Sequence, residues 1–269
     1  MTVTAAQLGQ SRIARPWRHA LSDSFAVATR NLIAYKRVPD LLVFSTVQPV
    51  VFVLLFRYVF GGAIKLPSHV PYVDFLMPGV FVQTVVFGSM AAAVGLATDM
   101  KSGLLERFRS LPMARSAVLT GRTFADLVRN VGVALLMTAV GLAVGFRWHT
   151  NLAGYVAGML LVLLFGYAFS WIFATLGLLV GDPEAAQAAA FPVLAPLVFA
   201  SSAFIPVSTM PGWLQAFAAH QPVSVTVTAV RSLFLGGPTA SHVLEAVAWC
   251  VGIFAVAAPL SVWRYRKAV

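Results

Sequence analysis

Long apolar stretches alternate with short polar, mostly basic connections along this chain. The first stretch, about 40–60, holds Gln48, Pro49 and, near its end, Arg57. The second, about 75–98, carries no charge. The third, about 123–146, is charge-free only from 130 onward, so its first turn takes Asp126 and Arg129 near the interface. The fourth (about 152–180) and fifth (about 185–207) are charge-free, and the sixth (about 243–263) has one acid, Glu245. Each is long enough to cross roughly 30 Å of hydrocarbon at about 1.5 Å per helical residue. Strands of a membrane barrel would instead alternate over about ten residues. The pattern predicts an all-α polytopic membrane protein with six transmembrane helices within 40–263.

Composition agrees: 59% of residues are apolar and 10% charged, where about 25% charged is usual. A water-soluble enzyme of this make-up could not cover its own surface. The excess of 19 Lys+Arg over 9 Asp+Glu would suggest nucleic acid in a soluble chain; here it reads as topology, and no nucleic-acid partner is expected. Arg12, Arg15, Arg18, Arg30, Lys36 and Arg37 precede the first stretch. Lys101, Arg107, Arg109, Arg115, Arg122 and Arg129 lie between the second and third, and Arg264, Arg266 and Lys267 in the tail, 264–269. Six spans put all three groups on one side, and the excess of bases there makes it cytoplasmic, N-in and C-in. The only cysteine, Cys250, rules out an intrachain disulfide or a thiolate cluster. No small-residue cleavage site follows the first stretch, which is expected to remain as a span.

Within the N-terminal segment 1–39, residues 17–37 are amphipathic. Trp17, Leu21, Phe25, Ala28, Leu32 and Tyr35 fall on one helical face, with Asp23, Arg30 and Arg37 opposite. A helix lying in the inner headgroup layer, its bases toward anionic lipid, is expected. Between spans two and three, Leu104, Leu105, Phe108 and Leu111 form an apolar stripe flanked by Glu106, Arg107 and Arg109, and Pro112 ends the helix. Such a helix can present side chains to a cytosolic partner or serve as a charged tether.

Gly103, Leu104, Glu106, Arg109 and Pro112, followed by Leu119, Gly121 and Arg122, resemble the cytoplasmic loop of ABC-2 type transporter permeases of the daunorubicin/doxorubicin-resistance group. After span five, Phe204-Ile205-Pro206, Pro211-Gly212-Trp213-Leu214, Gln221-Pro222 and Arg231 are similar to that group's outer-face re-entrant segment. The resemblance implies a bacterial inner-membrane permease, working as a homodimer or with a related permease. Two separate ATPase subunits would bind ATP and Mg; the chain itself has no G-x-x-x-x-G-K-[ST] to cradle phosphate. Residues 101–112 would be the coupling helix docking into the ATPase, with Gly103, Leu104, Leu105, Glu106, Phe108, Arg109, Leu111 and Pro112 as its working positions. A drug-like or lipid cargo is implied. A polysaccharide exporter and an ATP-independent channel or scramblase remain alternatives.

Arg122, Asp126 and Arg129 stand on one helical face, as a brace between span three and the coupling helix or as part of a path for substrate. Gln48 and Gln83 lie in the middle of their spans, lining a polar path or making interhelical hydrogen bonds. On the outer side Pro206, Trp213, Pro222 and Arg231 mark short helices over about 207–240. Glu245 there pairs with Arg231 or His242, or meets interfacial water. Gly141/Gly145, Gly154/Gly158 and Gly177/Gly181 suit close helix packing. His19, His69, His149, His220 and His242 form no recognisable metal or catalytic motif, and no metal site is expected.

Overall fold

The computed structural model describes residues 24–33, 39–62, 64, 70–105 and 115–268. Among these there is no strand. Helix α1 covers 24–33. Then follow α2 (Pro39–Leu54, running on as a π-helical turn, Leu55–Phe60), α3 (Tyr72–Gly88), α4 (Met90–Lys101), α5 (Arg115–Ala143) and α6 (Leu152–Val180). The chain continues through α7 (Pro183–Phe199), a 3-10 turn (Val207–Thr209), α8 (Gly212–His220), α9 (Pro222–Leu235) and α10 (Thr239–Ala268).

Four helices are long and apolar enough to cross a membrane: Tyr72–Lys101 (α3 with α4), Ala117–Ala143, Leu152–Val180 and Thr239–Lys267. They fall on the second, third, fourth and sixth apolar stretches. The first and fifth give shorter apolar helices, Val47–Phe60 and Pro183–Phe199. At 17 residues α7 is about 26 Å long. It stops because Ala200 leaves helical geometry and Ser201 folds back, its Oγ donating to Val198 O (2.6 Å) and accepting from the Ala203 amide (3.1 Å).

Local chemistry sets the helix ends. The Asn151 side chain accepts from the Gly154 amide (2.8 Å) to start α6, and Gly181 ends it at φ +72°, a conformation that favours glycine. Asp182 immediately caps α7, accepting from the amides of Glu184 (3.0 Å) and Ala185 (3.1 Å), with Pro183 in the first helical position. Gln221 and Pro222 repeat that arrangement at α9. The segment 207–240 thus resolves into the 3-10 turn, the exposed helix α8 and the largely buried helix α9.

The pair α3–α4 occupies the centre, 72% of its apolar window being buried, whereas α10 lies at the edge with 17%. Phe81, Phe146, Phe165, Phe169, Phe173 and Phe234 fill the main core. Close helix contact is made at glycine: a Cβ on Gly177 would stand 2.4 Å from the Ala93 carbonyl oxygen, and one on Gly79 2.1 Å from that of Ala203. A second cluster, Leu96, Leu105, Val118, Leu119, Trp171, Leu178 and Tyr265 among others, closes the end of the bundle where Asp99 lies. That end is called the Asp99 end below, and the opposite one the Asp74 end.

Candidate functional site

At the Asp99 end one carboxylate joins three helices. Asp99, in the last turn of α4, is buried at 9% exposure. Arg122 Nη1 of α5 reaches its Oδ2 at 3.3 Å, and Arg30 Nη2 of α1 lies 3.3 Å from both its oxygens. The Arg122 guanidinium also donates to Ala91 O (3.3 Å) and lies where Gly95 would otherwise carry a Cβ. Helix α1 seats against α5 at Gly121, where a Cβ would be 2.5 Å from the Ser24 carbonyl oxygen, and Ser24 Oγ meets Thr120 Oγ1 at 2.8 Å. Val27, Ala28 and Asn31 are buried there, while Phe25 and Ile33 face outward. Arg30, expected to face lipid headgroups, is drawn to Asp99 because a charge-assisted hydrogen bond to a largely desolvated carboxylate outweighs hydration at the surface. Trp17, Leu21, Tyr35 and Arg37 of the expected interfacial helix lie outside the described residues.

The chain then leaves α4 through Ser102 and reverses at Gly103, whose φ of +69° favours glycine. Leu104 and Leu105 are helical again, and Leu105 is anchored in the second cluster. Lys101 Nζ meets Asp182 Oδ2 at 2.6 Å, tying the end of α4 to the α6–α7 turn. The Lys101 ammonium first, then the capped amides of α7, hold the Asp182 carboxyl below its usual range. Glu106, Phe108, Arg109, Leu111 and Pro112 lie outside the described residues.

Further along α5 come Asp126, fully buried, and Arg129, which donates through Nη2 to the Gly88 carbonyl at the α3–α4 junction. Arg129 sits seven residues beyond Arg122, so about 10 Å deeper, and midway along α5 instead of in a first turn at the interface, because the helix already begins at Arg115. Of the two glutamines, Gln83 is buried in α3 at 2% exposure and Gln48 faces outward from α2.

The Asp74 end is held differently. Arg231 of α9 donates from Nε (3.2 Å) and Nη2 (3.1 Å) to Phe75 O and from Nη2 to Ser202 O (2.8 Å). Its guanidinium lies 3.6 Å from the centre of the Phe75 ring. Beside it, Tyr72 OH donates to Phe204 O (3.0 Å). Glu245 is exposed on α10, and Arg231 donates to carbonyls. Asp74, buried in the first turn of α3, accepts from the Arg147 amide (2.8 Å) and pairs with His149 Nε2 (2.9 Å). Gln221 Nε2 donates to Leu197 O (2.8 Å), fastening α9 to the end of α7. Phe52, Phe56 and Phe60 of α2 and its π-helical turn pack in series and meet Phe199 and Phe204; Phe56 and Phe204 have ring centres 4.4 Å apart. Pro222 opens α9, Pro206 is half-buried, and Trp213 on α8 is 78% exposed.

Asp74 and Asp99 escaped the sequence reading, and Gln221 entered it only within the outer-face resemblance. The two acids close the charge-free stretch of span two at either end, which is the signal that could have found them. Among the described residues no group of three His, Cys, Asp or Glu is placed to hold a metal ion.

Residues 23–235, well over half of the chain, match the family model described as ABC-2 type transporter. The chain belongs to that family. It is an ABC-2 permease, and the permeases of ABC transporters are not themselves enzymes. It is 39% identical over 251 residues to the "Daunorubicin resistance ABC transporter permease protein DrrB1" of Streptomyces coeruleorubidus, covering 92% of this chain and 87% of that one. It is 28% identical over 249 residues to the "Probable doxorubicin resistance ABC transporter permease protein DrrC" of Mycobacterium tuberculosis (92% and 90% covered). To the "Doxorubicin resistance ABC transporter permease protein DrrB" of the same organism it is 27% identical over 252 residues (88% and 84%). This ABC-2 permease is therefore homologous, over nearly its whole length, to permeases of drug-resistance exporters.

Proposed function

We propose that this permease is the membrane subunit of an ATP-driven exporter that moves a hydrophobic or amphipathic molecule, drug-like or lipid, from the cytoplasmic side outward. ATP and Mg are bound by two copies of a separate ATPase subunit, and a second permease, a copy of this chain or a relative, completes the pore. In this reading six spans cross the bacterial inner membrane: α2 with its π-helical turn, α3–α4, α5, α6, α7 and α10. The excess of bases at the Asp99 end supports assigning it, with both termini, to the cytoplasmic side. Helices α8 and α9 then dip into the outer leaflet, and Trp213 sits at the interface as aromatic belts do.

The observation that carries the reading is the 39% identity, over 92% of the chain, to a daunorubicin resistance permease. Geometry supports it: the segment from Gly103 through Pro112 follows directly on the ion-paired end of α4, so a push on that segment reaches span two. Gly103, Leu104 and Leu105 root it; Glu106 and Arg109 would be its charged contacts with the ATPase, Phe108 and Leu111 its apolar anchors, and Pro112 its end. Arg122, Asp126 and Arg129 brace α5 against span two, and Gln83 faces the bundle interior.

The test is mild purification of the chain from its native membrane, with and without Glu106→Ala combined with Phe108→Ala, followed by daunorubicin efflux from cells carrying each form. A Walker-type ATPase that accompanies the wild-type chain and is lost from the double variant, together with efflux, is the expected result. Lipid or solute movement by the chain alone, with no ATPase attached under several mild detergents, would overturn the reading in favour of a channel or scramblase.

A further inference from the structure

Span two is broken at Ser89. In an unbroken helix the Ala92 amide would donate to Gly88; here it donates to Ser89 O (3.0 Å), and the Ser89 amide is shared between Val85 O (3.0 Å) and Val86 O (3.2 Å). The Gly88 carbonyl takes Arg129 Nη2 from α5 instead, and the same nitrogen donates to Asn130 Oδ1 (3.2 Å). Glycine leaves room for this: a Cβ at position 88 would stand 2.8 Å from Asn130 Oδ1 and 3.1 Å from Arg129 Nη2. On the other side Ser89 Oγ bonds the Gly166 carbonyl of α6 (3.0 Å). Three helices therefore meet at the break through polar groups.

The position is deep. Arg129 lies midway along α5, which runs from Arg115 to Ala143, so about 21 Å from either end. An ionisable group at such depth is expensive and functional by default. The two halves of span two also answer to different neighbours. The inner half, α4, carries Asp99 and Lys101, held by Arg30, Arg122 and Asp182. The outer half, α3, carries Asp74 and Phe75, held by His149 and Arg231.

We propose that Arg129 is a positioning residue for transport: it supplies, from the neighbouring span, the hydrogen bond that the break in span two withholds from Gly88. The two halves can then change their mutual angle while the carbonyl stays satisfied. A guanidinium suits this task because its five donors let it follow a moving acceptor, and it keeps its charge at any working pH. The inference rests on the exporter reading for its role in transport, though not for the articulation itself.

The experiment compares wild type, Arg129→Lys and Arg129→Met in the complex with the partner ATPase. Hydrogen exchange is followed at the amides of 89–93, and daunorubicin exported per ATP hydrolysed is measured in liposomes. Arg129→Met should raise exchange at 89–93 on the order of tenfold and leave the other helices unchanged. It should also lower daunorubicin per ATP by a similar factor, and Arg129→Lys should recover part of both. Unchanged exchange at 89–93, or a Lys variant no better than Met, overturns the proposal. If Arg129→Met does not assemble, Arg129→Gln decides, because its shorter, neutral side chain cannot follow the carbonyl as the guanidinium does: a local rise at 89–93 supports the proposal, and its absence overturns it. Failure of the wild-type complex to export daunorubicin would count against the exporter reading alone, since the exchange measurement needs no cargo.

Discussion

The two ends of the bundle are fastened by different chemistry. At the Asp99 end the bonds join charged side chains from segments far apart in sequence, Arg30 with Asp99, Arg122 with Asp99 and Lys101 with Asp182. At the Asp74 end the acceptors are mostly main-chain carbonyls, those of Phe75, Ser202, Phe204 and Leu197, taken by Arg231, Tyr72 and Gln221, with aromatic rings packed alongside. The ion pairs of the exposed Lys101 and the part-exposed Arg30 are weak and exchangeable, while Arg122 and Asp99 face each other mostly out of water. Carbonyls bound inside an apolar shell are costly to release, because nothing replaces the donor. The difference teaches where the molecule can come apart: the end nearest the proposed ATPase is built to be rearranged, and the other to hold until driven.

The sharpest way to break this comparison is at Arg231. Arg231→Leu strands the carbonyls of Phe75 and Ser202 and should destabilise the purified protein by roughly 2–3 kcal/mol, read as thermal unfolding in detergent. Arg231→Lys should recover little, since an ammonium cannot span both carbonyls as the fork does. Asp99→Asn should cost less, roughly 1–2 kcal/mol, because its amide oxygen still accepts from the mostly buried Arg122 guanidinium and Arg30 is more than a third exposed. Its signature is local: protease or thiol-probe access at 24–33 should rise as α1 loosens. An Asp99 variant costlier than the Arg231 variant would reverse the comparison. Smallest is Lys101→Ala. The carboxyl of Asp182 is held low, so this bond contributes at neutral pH and above and is lost as pH falls through that lowered value. Both partners are exposed, so wild type and Lys101→Ala should melt together at acid pH and barely separate at neutral pH.

Much of the fold was legible from one property. A run of charge-free residues must become helix in hydrocarbon, since no water is there to satisfy the backbone, and the four long helices fall where those runs predict. The ends of the first and fifth apolar helices were harder to read: apolarity continues past Phe199, and only the return of the Ser201 hydroxyl onto Val198 stops the helix. The glycine pairs pointed toward real contacts, as Gly177 against Ala93 shows. The site was legible in kind but not in its partners. Arg122 and Arg231 were marked as candidates, yet their acceptors are Asp99, at the edge of an apolar run, and carbonyls, which leave no trace in sequence. The break at Gly88–Ser89 was hidden for the same reason, although a Gly-Ser pair inside a span is a recognised place for a helix to bend.

The junction of α6 and α7 is only Gly181 and Asp182, a left-handed glycine followed at once by a capping acid and a helix-starting proline. So short a strap cannot slide, which makes it a fulcrum. With an arm of about 26 Å, a rotation of α7 by about 10° would leave Asp182 nearly still and carry Phe199 through about 4–5 Å. Phe199 has its ring centre 5.9 Å from that of Phe204 and 6.1 Å from that of Phe52. A small turn beside Lys101 would thus be magnified into a parting of the aromatic stack at the far end of the same lever.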